Sequence, residues 1–332
     1  VSNIADSYNV GILIFLVLLG ALVAIMNKAG GSAAFGRWAQ KHIKSRVGAQ
    51  CATIVLGILI FIDDYFNCLT VGSVMRPVCD GHKISRAKLS YLIDATAAPV
   101  CIIAPISSWA AAVAGFARGA GAENGISLFV SAIPYNFYAL LTILMMFFLA
   151  FTNLDYGPMA KHEFNAVNNG DIFTTGEHAC EQENEPNPKG KVIDLVFPII
   201  VLIICCVIGM IYSGGFFSGE SFIDAFSNSD ASVGLALGAF FAMIITVIYF
   251  LSRRIMKFGD IMNGLPEGFK AMVPAIMILC CAWTLKAMTD SLGAKIFISQ
   301  LIENTAGSFE KFLPAIIFAI AVGLSFATGT SW

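Results

Sequence analysis

The stretch F-I-D-D-Y-F-N-C-L-T, residues 61–70, decides the fold because it sets two adjacent carboxylates, Asp63 and Asp64, inside a long apolar segment. An aspartate at the centre of a membrane-spanning helix costs about 2.5–3.5 kcal/mol even on the mildest scale. On a regular helix, neighbouring residues point about 100° apart, so one of the two carboxylates would face lipid. The pattern therefore predicts an unwound helix here, where both carboxylates face a cavity and freed carbonyls can bind a cation.

The composition places this stretch in a membrane protein. Of the 332 residues, 57% are hydrophobic and 13% are charged, whereas a soluble globular chain carries roughly 25% charged residues. A membrane span needs about 20 mainly apolar residues. We therefore expect an all-α, polytopic membrane protein with about eight hydrophobic segments, at 10–27, 49–75, 91–116, 128–151, 192–212, 231–251, 271–288 and 312–327.

The polar stretch 152–191 divides these segments into two halves. We predict a first membrane repeat over 1–151, a polar and flexible cytoplasmic linker over 152–191, and a second membrane repeat over 192–332. M-N-K-A-G-G-S-A-A-F at 26–35 aligns weakly with M-T-D-S-L-G-A-K-I-F at 288–297. This alignment favours inverted repeats with paired broken helices, and chance similarity between apolar sequences is the alternative. We expect the first repeat to be incomplete at its N-terminus and the second at its C-terminus.

Basic residues orient the second half more clearly than the first. The positive-inside rule places 252–270 in the cytoplasm, and 213–230 and 289–311 outside. In the first half, the stretches 28–46 and 76–88 are both basic. Either one of them lies outside, or the interrupted segment between them is a re-entrant hairpin.

Oxygen-bearing side chains follow the two aspartates along the chain. Asn67 comes one helical turn after Asp63 and Asp64, and Thr70 follows three residues later. Together with the carboxylates, their oxygens form a hard ligand set that suits Na⁺. The alternative is that residues 63–67 form a loop outside the membrane.

A second interrupted segment is Y-L-I-D-A-T-A-A-P-V-C-I-I-A-P-I-S-S-W, residues 91–109. Two prolines remove backbone donors from this segment and interrupt helical hydrogen bonding. Asp94 precedes them, and Ser107 and Ser108 follow. We predict that these three side chains contribute to an ion or proton site, with a simple kink and local serine hydrogen bonds as the alternative.

A third polar break closes the chain, A-T-G-T-S-W at 327–332. Its hydroxyl residues Thr328, Thr330 and Ser331 are predicted to join the same site, unless the segment is a water-facing turn. Lys286 is a candidate charge partner for the carboxylates. The alternative is that it extends to the interface beside Asp290, four residues on.

The order of these motifs resembles that of the NhaC-type Na⁺/H⁺ antiporter family. The resemblance is sharpest in F-I-D-D-Y-F-N-C-L-T-V-G-S-V-M-R-P-V-C-D (61–80), K-I-S-R-A-K-L-S-Y-L-I-D-A-T-A-A-P-V (83–100), A-P-I-S-S-W (104–109) and F-A-T-G-T-S-W (326–332). It implies a secondary transporter of the ion transporter superfamily that exchanges Na⁺ for H⁺ across the cytoplasmic (inner) membrane. Related carriers of organic acids, such as malate/lactate antiporters, and of amino acids leave a different cargo as the alternative.

The expected chemistry is competition for shared oxygens. Asp63 and Asp64 would bind Na⁺ as metal ligands when ionised and H⁺ otherwise, so that the two ions take turns. The expected partners are Na⁺, H⁺ and the lipid bilayer, with a homodimer left open. We expect no cofactor and no nucleic acid, and no enzymatic activity, because no nucleophile–base set is apparent in the sequence.

Overall fold

All regular elements of the described residues in the computed structural model are helices. The structure describes residues 4–61, 63–105, 107, 109–110, 113, 117, 125–174, 187, 189–293, 300 and 312–328. At some helical positions, among them 286, 290 and 328, only the backbone is described. The α-helices are α1 (Ser7–Lys28), α2 (Gly31–His42), α3 (Arg46–Leu59), α4 (Asp64–Gly81), α5 (Arg86–Cys101), α6 (Gly125–Ala132), α7 (Phe137–Thr152), α8 (Gly157–Asn168), α9 (Ile193–Ser213), α10 (Phe222–Ser227), α11 (Ala231–Ser252), α12 (Phe258–Ser291) and α13 (Leu313–Thr328).

Long apolar helices confirm the predicted all-α, polytopic membrane architecture. Five of them in the described part of the chain are long and apolar enough to cross a bilayer. Their apolar runs are Ser7–Lys28, Phe137–Asn168, Ile193–Ser213, Ala231–Ser252 and Phe258–Leu285.

Small residues let the longest helices pack backbone to backbone. A Cβ at Gly238 of α11 would lie 2.5 Å from Cys206 Cα of α9. A Cβ at Gly20 of α1 would lie 2.5 Å from the carbonyl oxygen of Gly268 in α12. Lipid supplies no hydrophobic force between helices, so close packing of this kind is what holds such a bundle together.

The interrupted segment 49–75 is two helices and not one. α3 ends at Leu59, and α4 begins at Asp64. Ile60 between them has φ −100° and ψ 72°, which is outside the helical region. The break that the adjacent aspartates predict is therefore confirmed.

α3 and α4 form an antiparallel hairpin whose outer ends meet, as a re-entrant segment would. An imidazole nitrogen of His82, just after α4, lies 3.1 Å from the carbonyl oxygen of Ile43, just before α3. Further in, Thr53 Oγ lies 3.6 Å from Cys79 Sγ. The two basic stretches that flank the hairpin thus lie at the same end of the bundle, and the sequence had left this arrangement open.

The second interrupted segment also breaks. α5 runs through Pro99 and ends at Cys101, and helical backbone returns at Trp109 and Ala110. The segment 91–116 is therefore not one continuous span, as its prolines predict.

Part of the polar stretch 152–191 is an ordered helix that binds the membrane helices, which differs from the predicted flexible linker. Glu163 of α8 is 3% exposed. It pairs with Arg46 at the start of α3 and accepts the Ser85 N–H at 2.8 Å. Nearby, Lys88 of α5 pairs with Asp155, which lies just before α8.

Two ends of the bundle can be named from these contacts. The basic end carries the starts of α3 and α5, which form ion pairs with Glu163 of α8 and with Asp155 just before it. The acidic end carries the loop 213–230 and the N-terminal parts of α1 and α11. These two helices are in close contact there, because a Cβ at Gly11 would lie 2.8 Å from Ser232 Cβ.

Candidate functional site

The hairpin tip carries both of the predicted carboxylates. Asp63 is 5% exposed and is the N-cap of α4, where a carboxylate oxygen accepts the Phe66 N–H at 3.0 Å. Asp64 is the first residue of the helix and is half-buried. An aspartate at an N-cap satisfies one of the free amides of the first turn. The same residue therefore starts the helix and places a carboxyl group inside the protein.

Asn67 connects the start of α4 to the end of α3 by hydrogen bonds. Its amide group donates to the carbonyls of Gly57 at 2.6 Å and Ile60 at 2.8 Å. Gly57 belongs to the last turn of α3 and Ile60 is its C-cap, and no intrahelical donor remains for carbonyls at a helix end. Asn67 Oδ1 and Thr70 Oγ face the protein interior, and both side chains are 0% exposed. Neither oxygen has a hydrogen-bond partner among the described residues.

α5 packs directly against the hairpin tip. A Cβ at Gly57 would lie 2.7 Å from Thr96 Cβ, so only glycine fits at this position of α3. The Thr96 hydroxyl donates to the Leu92 carbonyl at 2.9 Å. Two residues before Thr96, Asp94 is exposed and interacts electrostatically with Asp64.

The break after α5 meets the hairpin tip at the same place. The Trp109 side chain lies beside the Asp64 carboxyl group. Ser107 is 0% exposed; its hydroxyl donates to the Cys101 carbonyl at 2.7 Å and accepts the Ala110 N–H at 3.1 Å. These bonds fit the local role that the sequence left open for the serine. Ligation of an ion by Ser107 stays a prediction.

A small cavity, the Asp63 cavity, opens beside the hairpin tip. Its volume is about 30 Å³. Four helices meet around it, and Asp63 is the charged residue in its lining. The lining residues are Tyr8, Ile12, Phe15 and Leu16 of α1, Asp63 and Tyr65 of the hairpin, Ala231 of α11, and Leu279 and Trp283 of α12.

The comparison with known families agrees with this architecture. Residues 100–332 match the Na⁺/H⁺ antiporter family. The chain belongs to that family. Five apolar helices and membership of this antiporter family describe a multi-pass membrane protein.

A relative of this antiporter-family chain is an uncharacterized protein of Haemophilus influenzae. The two are 36% identical over 335 residues, an alignment that covers 98% of this chain and 63% of the relative. The chain thus spans less than two thirds of the relative's length. No solved structure matches the chain.

Several predicted site residues lie outside the described part of this antiporter-family chain. Ser108, Thr330 and Ser331 are among them. Lys286 lies in α12 and Thr328 is the last residue of α13, and for both only the backbone is described. Their roles stay predictions.

A metal ion bound at the tip would depend on more than carboxylates. The described residues contain no group of three or more His, Cys, Asp or Glu side chains close enough to share a metal ion. A cation there would instead combine carboxylate oxygens with amide, hydroxyl and carbonyl oxygens, which is chemistry that suits hard ions.

The structure adds aromatic residues that sequence reasoning missed. Tyr8 and Trp283 line the Asp63 cavity, and Trp109 reaches Asp64. Aromatic residues near the ends of membrane helices are common as interface anchors. Local sequence therefore carried no signal that Tyr8 and Trp283 would approach a carboxylate.

Proposed function

We propose that this chain exchanges Na⁺ for H⁺ across the cytoplasmic membrane at the tip of the re-entrant hairpin. The observation that carries the proposal is a pair of buried oxygens in the first two turns of α4, Asn67 Oδ1 and Thr70 Oγ, in a helix that begins at two adjacent carboxylates. Buried polar atoms are nearly always paired, because leaving one unpaired costs about 1–3 kcal/mol. A cation that ligates these oxygens would remove this cost. Membership of the Na⁺/H⁺ antiporter family supports Na⁺ as that cation.

The exchange follows from competition at the hairpin tip. When Asp63 and Asp64 are ionised, their carboxylate oxygens bind Na⁺ together with Asn67 Oδ1 and Thr70 Oγ. When protons occupy the carboxylates, the charge that holds Na⁺ is gone and the ion leaves. Each turnover therefore carries one kind of ion in each direction. We also assign Asp94 to this site, because it interacts electrostatically with Asp64.

The remaining predicted residues complete this proposal. We assign further ligand oxygens to the break after α5 and to the polar break at 327–332, which would be its counterpart in an inverted repeat. The ligands are Ser107, Ser108, Thr328, Thr330 and Ser331. Lys286 of α12 supplies a balancing positive charge. We place the basic end in the cytoplasm, as the positive-inside rule predicts.

The deciding experiment measures Na⁺-driven proton flux in proteoliposomes that contain the complete protein. Asp63→Asn keeps the N-cap, since asparagine caps a helix as well as aspartate does, and removes only the charge. We expect Asp63→Asn and Asp64→Asn each to lower the exchange rate at least tenfold. Each loss corresponds to about 1.4 kcal/mol or more.

A matched control is Asp171→Asn. The Asp171 carboxylate accepts the N–H groups of Phe173 and Thr174 at 3.0 and 2.9 Å, and it lies at the basic end, where the Arg86 N–H donates to the neighbouring Ile172 carbonyl. This variant should keep full exchange, because it loses a capping carboxylate that is remote from the site. Full exchange by the Asp63→Asn/Asp64→Asn double variant would refute the proposal.

A further inference from the structure

The Asp63 cavity is open toward the acidic end. Along α1, Phe15 and Leu16 are 2% and 0% exposed, whereas Tyr8 and Ile12 are half-buried. Water therefore reaches the lining near the start of α1 and not the lining one to two turns further in. Asp63, at 5% exposure, lies on the inner side of this gradient.

Tyr8 lies near a buried carboxylate and an exposed one. It lines the cavity together with Asp63, and it interacts electrostatically with both Asp63 and Asp230. Asp230 is exposed and caps α11 by accepting the Ser232 N–H at 2.9 Å. The first turn of α1 is thus placed where negative charge continues from the acidic loop to the hairpin tip.

The size and lining of the cavity select a small cation. One water molecule needs roughly 10–15 Å³ of such volume, so a cavity of about 30 Å³ holds about two. An organic anion would find a carboxylate and too little room. Tyr8, Tyr65 and Trp283 present aromatic rings, whose faces attract cations by roughly 0.5–2 kcal/mol.

We propose that the Asp63 cavity is the entrance by which Na⁺ reaches the site from the acidic end, and that Tyr8 positions the partly dehydrated ion on its way to Asp63. The inference rests on the proposed function and assigns it an access route. Tyr8 acts in delivery of the ion and not in proton binding. Its loss should lower the kcat/KM for Na⁺ and leave the pH profile of exchange unchanged.

The first test is Tyr8→Phe, which removes one hydroxyl group and keeps the ring. We expect the kcat/KM for Na⁺ to fall about three- to tenfold, because a single hydroxyl contact contributes about 0.5–1.5 kcal/mol. The matched control is Tyr212→Phe, a 59% exposed tyrosine at the end of α9 next to the acidic loop. It should match the unmodified protein.

The second test does not depend on turnover. Ile12→Cys places a thiol in the cavity lining, and Ile14→Cys places one at a 48% exposed position of the same apolar helix, where we expect lipid. A membrane-impermeant thiol reagent, added to sealed vesicles at the face that carries the acidic loop, should label Ile12→Cys above the native cysteines. Ile14→Cys should show no such gain, and Na⁺ should slow the labelling at position 12.

The outcomes separate the two proposals. The entrance is overturned, and the proposed function stands, if three results occur together. The unmodified protein exchanges Na⁺, the Tyr8→Phe variant is unaffected, and position 12 shows no gain of labelling. Labelling at position 12 only from the opposite face also overturns the entrance. No Na⁺-driven proton flux by the unmodified protein overturns the proposed function and the entrance with it.

Discussion

We expect the ion pair between Glu163 and Arg46 to hold α8 against the hairpin at the basic end, and replacing Glu163 tests this. Glu163 is 3% exposed and also accepts the Ser85 N–H at 2.8 Å, whereas the Arg46 side chain is 26% exposed. Removing one partner of a fully buried pair costs about 3–5 kcal/mol. Because Arg46 keeps access to water, we expect Glu163→Gln to lower the free energy of unfolding by about 2 kcal/mol. Glu163→Ala should cost about 1 kcal/mol more, because the Ser85 amide then loses its acceptor.

The assay is hydrogen exchange of residues 83–88 in detergent, with the thermal midpoint as a second readout. A loss of about 2 kcal/mol corresponds to roughly 30-fold faster exchange of these amides. Lys161→Gln, an exposed position on the same helix, is the control and should change neither quantity. If Glu163→Gln exchanges no faster than Lys161→Gln, the ion pair does not hold the hairpin and the reasoning is refuted.

The hairpin itself gives three further predictions. Asn67→Leu leaves two helix-terminal carbonyls without donors and should lower the free energy of unfolding by about 2–4 kcal/mol, measured by thermal unfolding in detergent. Gly57→Ala forces its new methyl group into α5 and should lower the thermal midpoint by several degrees, whereas Gly72→Ala, with a nearest contact of 3.5 Å, should not. Cysteines in place of the exposed Lys44 and Lys83, on the two sides of the hairpin, should react with an impermeant thiol reagent from the same face of the membrane.

Each of these predictions has a clear opposite result. Unchanged stability of Asn67→Leu would mean that water or another group satisfies the carbonyls. Equal thermal midpoints for the two glycine variants would show that α5 yields to the added methyl group. Labelling of the two cysteine positions from opposite faces would mean that the segment between them crosses the membrane.

The position of the break was predictable, but its geometry was not. Adjacent aspartates in an apolar stretch are costly in any continuous helix, so residues 61–70 alone indicate where the backbone must unwind. Whether the chain then continues across the membrane or turns back depends on contacts between distant residues, such as His82 with Ile43. The positive-inside rule reads loop charges and not these contacts, which is why it left two topologies open.

The ordered part of the linker and the cavity depend equally on contacts distant in sequence. The composition of 152–191 predicts flexibility, yet Glu163 is buried because Arg46 and Ser85 meet it there. Tyr8 belongs to the cavity only because α1 passes the hairpin tip. The two-repeat organisation and the hydroxyl ligands of the last break stay predictions.

The contact between Gly57 and Thr96 has a mechanical consequence. With no space between them, the hairpin tip cannot approach α5, and the hydrogen bonds of Asn67 tie α3 to α4. We therefore expect these three helices to move as one rigid unit. The side of that unit toward α1 borders the Asp63 cavity instead of a glycine contact, so we expect the movements of the proposed transport cycle to occur along this side.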